Sequence, residues 1–215
     1  MPIVDSPKDY PLLREELRAL QPPFLLRHYD ATPEDYEQIT DEDLKCEYID
    51  GELIVHSPAS FQHEDLASFI NAILRSHVGH TVPGFVLGSN AVMQLGQRRF
   101  SPDVSVLLAE HADRIANKRV MGPLDLLVEI GSTSTRKYDY ETKLPLYREG
   151  RVGEIWLIDA ERRQFEVHTL KSDGYISQAL ASGRWMSVAV PGLAIEVDWF
   201  WRDPLPSVLE CRVGA

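Results

Sequence analysis

Ser101-Pro-Asp-Val-Ser-Val-Leu-Leu108 and Leu124-Asp-Leu-Leu-Val-Glu-Ile130 decide how this chain is read. Each is a short apolar run with the length and composition of a buried strand. The first opens on Asp103, behind Pro102, and the second ends on Glu129. If the strands are neighbours, two carboxylates meet, and Lys143 on the helical pattern that follows adds an ammonium. Such a set has the chemistry of a site for Mg²⁺ or Mn²⁺ and for a phosphate. Hard divalent cations take oxygen ligands and tolerate retained waters. Hydrolysis of a phosphodiester calls for the metal, a bound water and a positive charge beside the scissile phosphate. Each residue alone has an ordinary reading: a turn residue after Pro, a solvated Glu at a strand end, a Lys on a helix surface. The order strand, strand, helix is what carries the signal.

Outward from these runs, Asp139 to Glu149 is helical and stops at Gly150. Pro145 lies inside it and leaves the carbonyl of Glu141 without its helical partner. A kink there aims Lys143 and Tyr147 toward the strand ends. Thr32-Pro-Glu-Asp35 is a helix start, with Thr as cap, Pro at the first helical position and acids in the first turn. Cys46 to His56 reads as a hairpin around Asp50-Gly51. Ser60 to His77 carries Leu66, Phe69, Ile70, Ile73 and Leu74 on one helical stripe. Further strands are expected near 85–95, 154–159, 164–170, 175–180 and 193–197. Residues 1 to 24 hold five prolines and a partly helical run from Tyr10 to Gln21. We divide the chain into an arm (1–26), one domain (27–203) and a short tail (204–215).

Composition bounds the rest. The 215 residues, 44% hydrophobic and 26% charged, suit one folded domain. Cys46 and Cys211 make no disulfide framework and lack metal-finger spacing. The start shows no basic or apolar leader, and no run approaches the roughly 18 apolar residues of a membrane span. A reduced, cytoplasmic setting follows. The net charge of −11 argues against a general nucleic-acid coat. The basic pairs Arg98-Arg99, Lys118-Arg119, Arg136-Lys137 and Arg162-Arg163 are candidates for a local basic rim, against the ordinary reading of paired charges as simply solvated. Familiar alternatives fail. His63-Glu64 begins a zinc-protease pattern, but Ala67 stands where the second His belongs. No Cys-x-x-Cys, Gly-x-Ser-x-Gly or phosphate loop is present.

The flanking residues make the pattern specific. Glu47-Tyr-Ile-Asp-Gly-Glu-Leu53, Ser57-Pro-Ala-Ser60 with His63, Pro102-Asp-Val104, Val128-Glu-Ile130 with Ser134-Thr-Arg136, Lys143-Leu-Pro-Leu-Tyr147 and Glu154-Ile-Trp-Leu-Ile-Asp159 occur in that order. The series resembles the Uma-type family of putative restriction endonucleases, a branch of the PD-(D/E)XK nuclease superfamily, from about Leu26 to about Val197. The resemblance implies an α/β fold, a restriction-endonuclease-like core with a central mixed β-sheet flanked by helices, and metal-dependent cleavage of DNA. The chain departs from the superfamily pattern in two places. Gly131 stands where the Lys two residues after the strand Glu is expected, and Lys143 is the migrated replacement. The following loop, Gly131-Ser-Thr-Ser-Thr135, lacks the Pro that similar proteins carry.

The site expected on these grounds has Asp103, Glu129 and the Ile130 carbonyl on Mg²⁺, with Mn²⁺ as substitute. Lys143 stabilises developing charge or orients the attacking water. Asp139, one turn before Lys143, pairs with it or caps the helix. Glu47 and His63 are further candidates, Glu47 to hold a metal-bound water and His63 to bond a ligand carboxylate or a phosphate. Glu52 reads as more exposed, and Tyr147 as a core residue on the Lys143 face. DNA is the expected partner and a homodimer the expected assembly, since two copies cut two strands. An inert binding module of the same fold, or an enzyme acting on another phosphate ester, stands as the alternative. Intact Asp103, Glu129 and Lys143 favour an enzyme, and the acidic balance favours the inert module.

Overall fold

The computed structural model describes residues 10–40, 44–132 and 135–211. Residues 1–9 of the arm, the side chains of Tyr10, Leu12 and Leu13, Thr133 and Ser134 of the loop after Glu129, and 212–215 of the tail lie outside that description. The chain runs α1 (Tyr10–Ala19), β1 (Leu25–His28), α2 (Pro33–Ile39), β2 (Cys46–Ile49), β3 (Glu52–His56) and α3 (Phe61–His77). Next come β4 (Gly84–Gly88), β5 (Val92–Leu95), β6 (Arg98–Phe100), β7 (Val104–Leu108), β8 (Ile115–Ala116), β9 (Arg119–Met121) and β10 (Leu126–Ile130). The rest is α4 (Arg136–Tyr138), a π-helical turn (Asp139–Lys143), α5 (Leu144–Glu149), β11 (Glu154–Asp159), β12 (Gln164–Lys171), β13 (Gly174–Leu180), β14 (Arg184–Met186) and β15 (Ala194–Glu196).

The mixed α/β architecture is present, with its strands shared between two large sheets rather than gathered into one. One sheet has the order β1-β3-β2-β6-β5-β9-β8, the other β13-β12-β11-β10-β7-β4, and β14 pairs with β15 apart from both. The segment read as a single strand near 85–95 is two, and they go to different sheets: β4 pairs with β7, and β5 with β6 and β9. Thr32 caps α2 through a full capping box, its side chain accepting from Asp35 N–H while the Asp35 carboxylate accepts from Thr32 N–H. The hairpin β2–β3 turns at Asp50 and Gly51, both at positive φ, 48° and 92°.

The period of two along a strand sorts the core into layers. Val104, Val106 and Leu108 of β7 face α3, as do Leu126, Val128 and Ile130 of β10 and Trp156 and Ile158 of β11. They pack there on Leu66, Phe69, Ile70, Ile73 and Leu74. The alternate residues Leu107, Leu127, Ile155 and Leu157 face the other way, onto Ile49, Ile54, Met93 and Phe100 of the second sheet and onto Leu144 and Tyr147. A third cluster joins α1 and α2 to the hairpin through Leu17, Tyr36, Ile39, Tyr48 and Val55. The described part of the arm thus packs on its own domain, and Arg14 also donates to the Gln38 carbonyl.

β10 and β11 are parallel, in the register Val128↔Trp156 and Ile130↔Ile158. Parallel neighbours need a crossover, and the segment α4–π-turn–α5 supplies it. Gly153 lets the chain re-enter the sheet closely, since a Cβ there would lie 2.5 Å from the Asp125 carbonyl oxygen.

Candidate active site

The same alternation that builds the core places the carboxylates. β7 and β10 are antiparallel, with Val106 opposite Leu126 and Val104 opposite Val128. One further step of that register sets Asp103 across from Glu129. Both share the face of Leu107 and Leu127, the one turned toward the second sheet. Glu47 arrives from that second sheet on β2, two residues before Ile49 and on the same inward face. Lys143 comes in from the crossover between β10 and β11. Pro145 cannot donate to the Glu141 carbonyl, and the helix widens just before it: Leu144 N–H bonds back to the Asp139 carbonyl, five residues away. The expected kink is therefore a π-turn, and its last residue is Lys143.

The four elements converge on a buried cluster of charge. Lys143, 1% exposed, donates to Glu129 Oε1 at 2.8 Å and stands 3.3 Å from Asp139 Oδ1 and 3.5 Å from Glu47 Oε1. Tyr147 O–H donates to the same Glu129 oxygen at 2.5 Å, so this core residue is also a partner of the site. Asp103 Oδ2 accepts from Ile130 N–H at 2.8 Å and lies 3.2 Å from His63 Nε2. Its Oδ1 accepts from Lys45 at 2.7 Å. Glu47 is fully buried: Oε2 accepts from Tyr138 O–H and lies 2.8 Å from His56 Nε2, and Oε1 accepts from Ser101 N–H at 2.9 Å.

These surroundings pull the carboxyls apart in acidity. Burial pushes Glu129 up to about 8; the Lys143 ammonium opposes that rise, and the charges of Asp103 and Asp139 add to it. Burial also raises Asp139. Asp103 goes the other way: burial opposes its charge, but Lys45, His63 and Lys143 together hold it well below the usual carboxylate range. Glu47 is likewise held low, by Lys143, His56 and Lys45 against burial. The Lys143 ammonium is disfavoured by burial, yet Glu129, Glu47, Tyr147 and Asp139 raise it well above an ordinary lysine. Carboxyls pushed in opposite directions within one cluster beside a cleft make it a candidate functional site.

A cleft of about 980 Å³ opens onto this cluster. Asp103, Glu129, Ile130, Asp139 and Lys143 line it, with α3 contributing His63, Ala67 and Asn71 and the segment Leu20–Phe24 contributing prolines and Phe24. His63 follows its cap Ser60 into the first turns of α3, and its Nδ1 is buried with no hydrogen bond. Glu52 lies apart, paired with Arg27 at 3.2 Å. Ile130 meets Asp103 through its N–H rather than its carbonyl.

Among the described residues no three His, Cys, Asp or Glu side chains are grouped to hold a metal unaided, and no helix is long and apolar enough to cross a membrane. Several basic pairs are answered by acids rather than arrayed as a rim. Arg98 binds Asp50 and Glu149, Arg99 and Arg119 share Glu37, and Arg136 binds Asp159.

Sequence reading missed three residues of the cluster: Lys45, His56 and Tyr138. His56 had a signal. Glu47 pairs with Ile54 in the hairpin register, and His56 is the same-face diagonal neighbour, within reach across a ladder. Lys45 sits just before β2 and Tyr138 ends the three-residue helix α4, too short to show a pattern, and neither had such a signal.

No curated protein matches the chain. Among solved structures, one described as a putative nuclease belonging to DUF820 from Anabaena variabilis ATCC 29413 superposes with a TM-score of 0.68. The match covers 80% of this chain and 97% of that one, at 16% identity, a likeness of fold. Residues 33–198 match the model of the Uma2 family, described as putative restriction endonuclease, and the chain belongs to that family.

Proposed function

We propose that this protein is a metal-dependent endodeoxyribonuclease that hydrolyses phosphodiester bonds of DNA, with Mg²⁺ as the working ion and Mn²⁺ as substitute. One observation carries the reading. Asp103 and Glu129, on one face of two adjoining strands, meet the Lys143 ammonium in a buried cluster that opens on a cleft. The donor set fits a hard cation. Asp103 already holds one positive group, the Lys45 ammonium, at 2.7 Å. Two carboxylates without thiols or a histidine trio suit an ion that keeps waters, not a closed zinc cage. Asp103 and Glu129 would hold the ion, with the Ile130 carbonyl beside them. Bound there, it would lower the pKa of a water and neutralise charge on the phosphate.

The other side chains shape that pair. Lys143 and Tyr147 fix Glu129 through one oxygen, Oε1. Ile130 N–H and His63 fix Asp103. Glu47, braced by His56, Tyr138 and Ser101, backs Lys143 from the second sheet. DNA is the proposed substrate, and a homodimer, which cuts both strands of a duplex, the proposed assembly. The buried thiol of Cys46 fits a reducing cytoplasm. The acid-paired arginines favour weak, salt-sensitive binding and, with the acidic balance of the chain, support the inert-module reading. A metal-titrated cleavage assay on DNA and RNA substrates, with Asp103→Ala as control, tests the proposal. Cleavage that needs the ion and disappears in the variant is expected, and cleavage equal in both proteins refutes it.

A further inference from the structure

The site contains two ammonium groups, and they are not equivalent. Lys143 has three donors and three carboxylates around it, those of Glu129, Asp139 and Glu47 at 2.8, 3.3 and 3.5 Å. It is 1% exposed. One proton is bonded to Glu129, and two further acids of the fold crowd the same ammonium, so its charge is already committed within the protein. Lys45 is different. Its side chain is 26% exposed and lines the cleft, and among the described residues Asp103 Oδ1 is its one hydrogen-bond acceptor, at 2.7 Å. Its backbone is pinned, since His56 N–H donates to the Lys45 carbonyl at 3.0 Å. Only the flexible four-carbon stem is free to swing. Arg75, another cation along the cleft, is committed to the Val86 carbonyl at 2.6 Å.

Lys45 also stands on the carboxylate that a divalent ion would need. Two cations cannot share one carboxylate oxygen at contact distance without strong repulsion. We propose that Lys45 is an exchangeable cation of this site: it neutralises Asp103 in the metal-free protein and, once displaced from it, supplies the ammonium that meets the scissile phosphate. Lys143 is then the positioning residue for Glu129, and Lys45 the group that touches substrate. The inference rests on the metal-dependent reading above and adds to it a competitor for the metal.

The test needs no cleavage to begin. Mn²⁺ is titrated calorimetrically into the parent protein, Lys45→Met, Lys45→Gln and Lys45→Arg. Loss of the competing charge is expected to tighten Mn²⁺ binding by at least about tenfold in both neutral variants, whereas Arg, which keeps the charge, stays near the parent. Single-turnover cleavage at saturating Mn²⁺ is expected to fall by at least about tenfold in Lys45→Met, because the phosphate loses its cation while the metal site is full. Unchanged or weaker Mn²⁺ binding in the neutral variants overturns the exchange. Tighter binding with undiminished single-turnover cleavage overturns the phosphate contact. A parent protein that binds no Mn²⁺ overturns the metal reading itself and the exchange with it. A parent that binds Mn²⁺ while the variants do not differ from it defeats Lys45 alone.

Discussion

Replacing Lys143 by Met keeps most of the side-chain volume and removes the charge at the centre of the cluster. Three acids, Glu129, Asp139 and Glu47, then lose their common partner, each at most 4% exposed. Removing one member of a buried ion pair costs about 3–5 kcal/mol. For a domain of this size that is a fall in Tm of roughly 6–12 °C, taking the lower cost and about 2–4 °C per kcal/mol. The pH dependence makes the prediction sharper. In the parent, Glu129 is raised from an ordinary 4.5 to about 8. A raised carboxyl favours the fold most below its unfolded value, and that advantage is lost as pH climbs through the folded one. Below pH 8 Glu129 is therefore largely protonated in the folded state of both proteins, and the difference between them comes from Glu47 and Asp139. Above pH 8 the parent ionises Glu129 against Lys143 and its stability levels off. The variant, with no ammonium, keeps the proton and goes on losing about 1.4 kcal/mol per pH unit. Urea denaturation in metal-free buffer at pH 7, 8 and 9 measures the gap. A gap below 1 kcal/mol, or one that stays constant from pH 7 to 9, would refute the account of Lys143 as the counter-charge of a crowded acid cluster.

Asp103→Asn is expected to lower metal-dependent cleavage by about 100-fold or more, equivalent to about 3 kcal/mol of transition-state stabilisation, with an unchanged far-UV circular dichroism spectrum; undiminished turnover removes Asp103 from the site. Mn²⁺ affinity is expected to rise with pH until about pH 8 and then flatten, because Glu129 must lose its proton before it can ligate; a flat calorimetric profile from pH 6 to 9 contradicts that. Glu154→Ala is expected to destabilise by at least about 3 kcal/mol without changing Mn²⁺ affinity. It strands the indole N–H groups of Trp156 and Trp185 and the backbone N–H groups of Val188 and Ala189; a thermal melt matching the parent's shows that these donors find other partners. Light scattering across a tenfold dilution is expected to give the mass of two chains, and a steady mass near one chain excludes the homodimer.

The parts of the fold legible in the sequence are those whose causes are local. Thr32-Pro-Glu-Asp35 announces a helix because cap, Pro and acids act within one turn, and α2 begins there. Asp50-Gly51 makes its hairpin because two positive-φ residues suit the turn. The stripe from Leu66 to Leu74 buries one face of α3 as its spacing requires. The two-sheet arrangement was not legible. Strands of two or three residues, such as Arg98–Phe100, Ile115–Ala116 and Arg119–Met121, are too short to show alternation. Nothing local distinguishes a strand from 84 to 95 from two strands broken at Ser89 to Ala91, one for each sheet. Sheet membership is decided by what packs across the core, which the period of two leaves open.

The same division applies to the cluster. Asp103, Glu129 and Lys143 stood out because the first opens an apolar run, the second ends one and the third follows it on a helical pattern, and Pro145 foretold a break in the helix that delivers Lys143. Lys45 was invisible because its place is set by a contact 58 residues away. Its presence changes the electrostatic reading of the site. Four buried carboxyls, Glu47, Asp103, Glu129 and Asp139, face two ammoniums, Lys45 and Lys143. With those six groups ionised and the neighbouring imidazoles of His56 and His63 neutral, the group would carry a formal excess of two negative charges in a place where water is scarce. Burial of unbalanced charge is costly, and the cluster relieves it by pushing Glu129 up to about 8 so that it holds a proton near neutrality. The divalent cation proposed above would supply the missing charge without that proton. On this argument the proton on Glu129 and the ammonium on Asp103 are two halves of one arrangement: both keep the carboxylates apart from each other until a metal ion does, and both must leave for it to bind. A chain of net charge −11 would then approach a phosphate backbone through its cation-loaded site rather than through a basic surface.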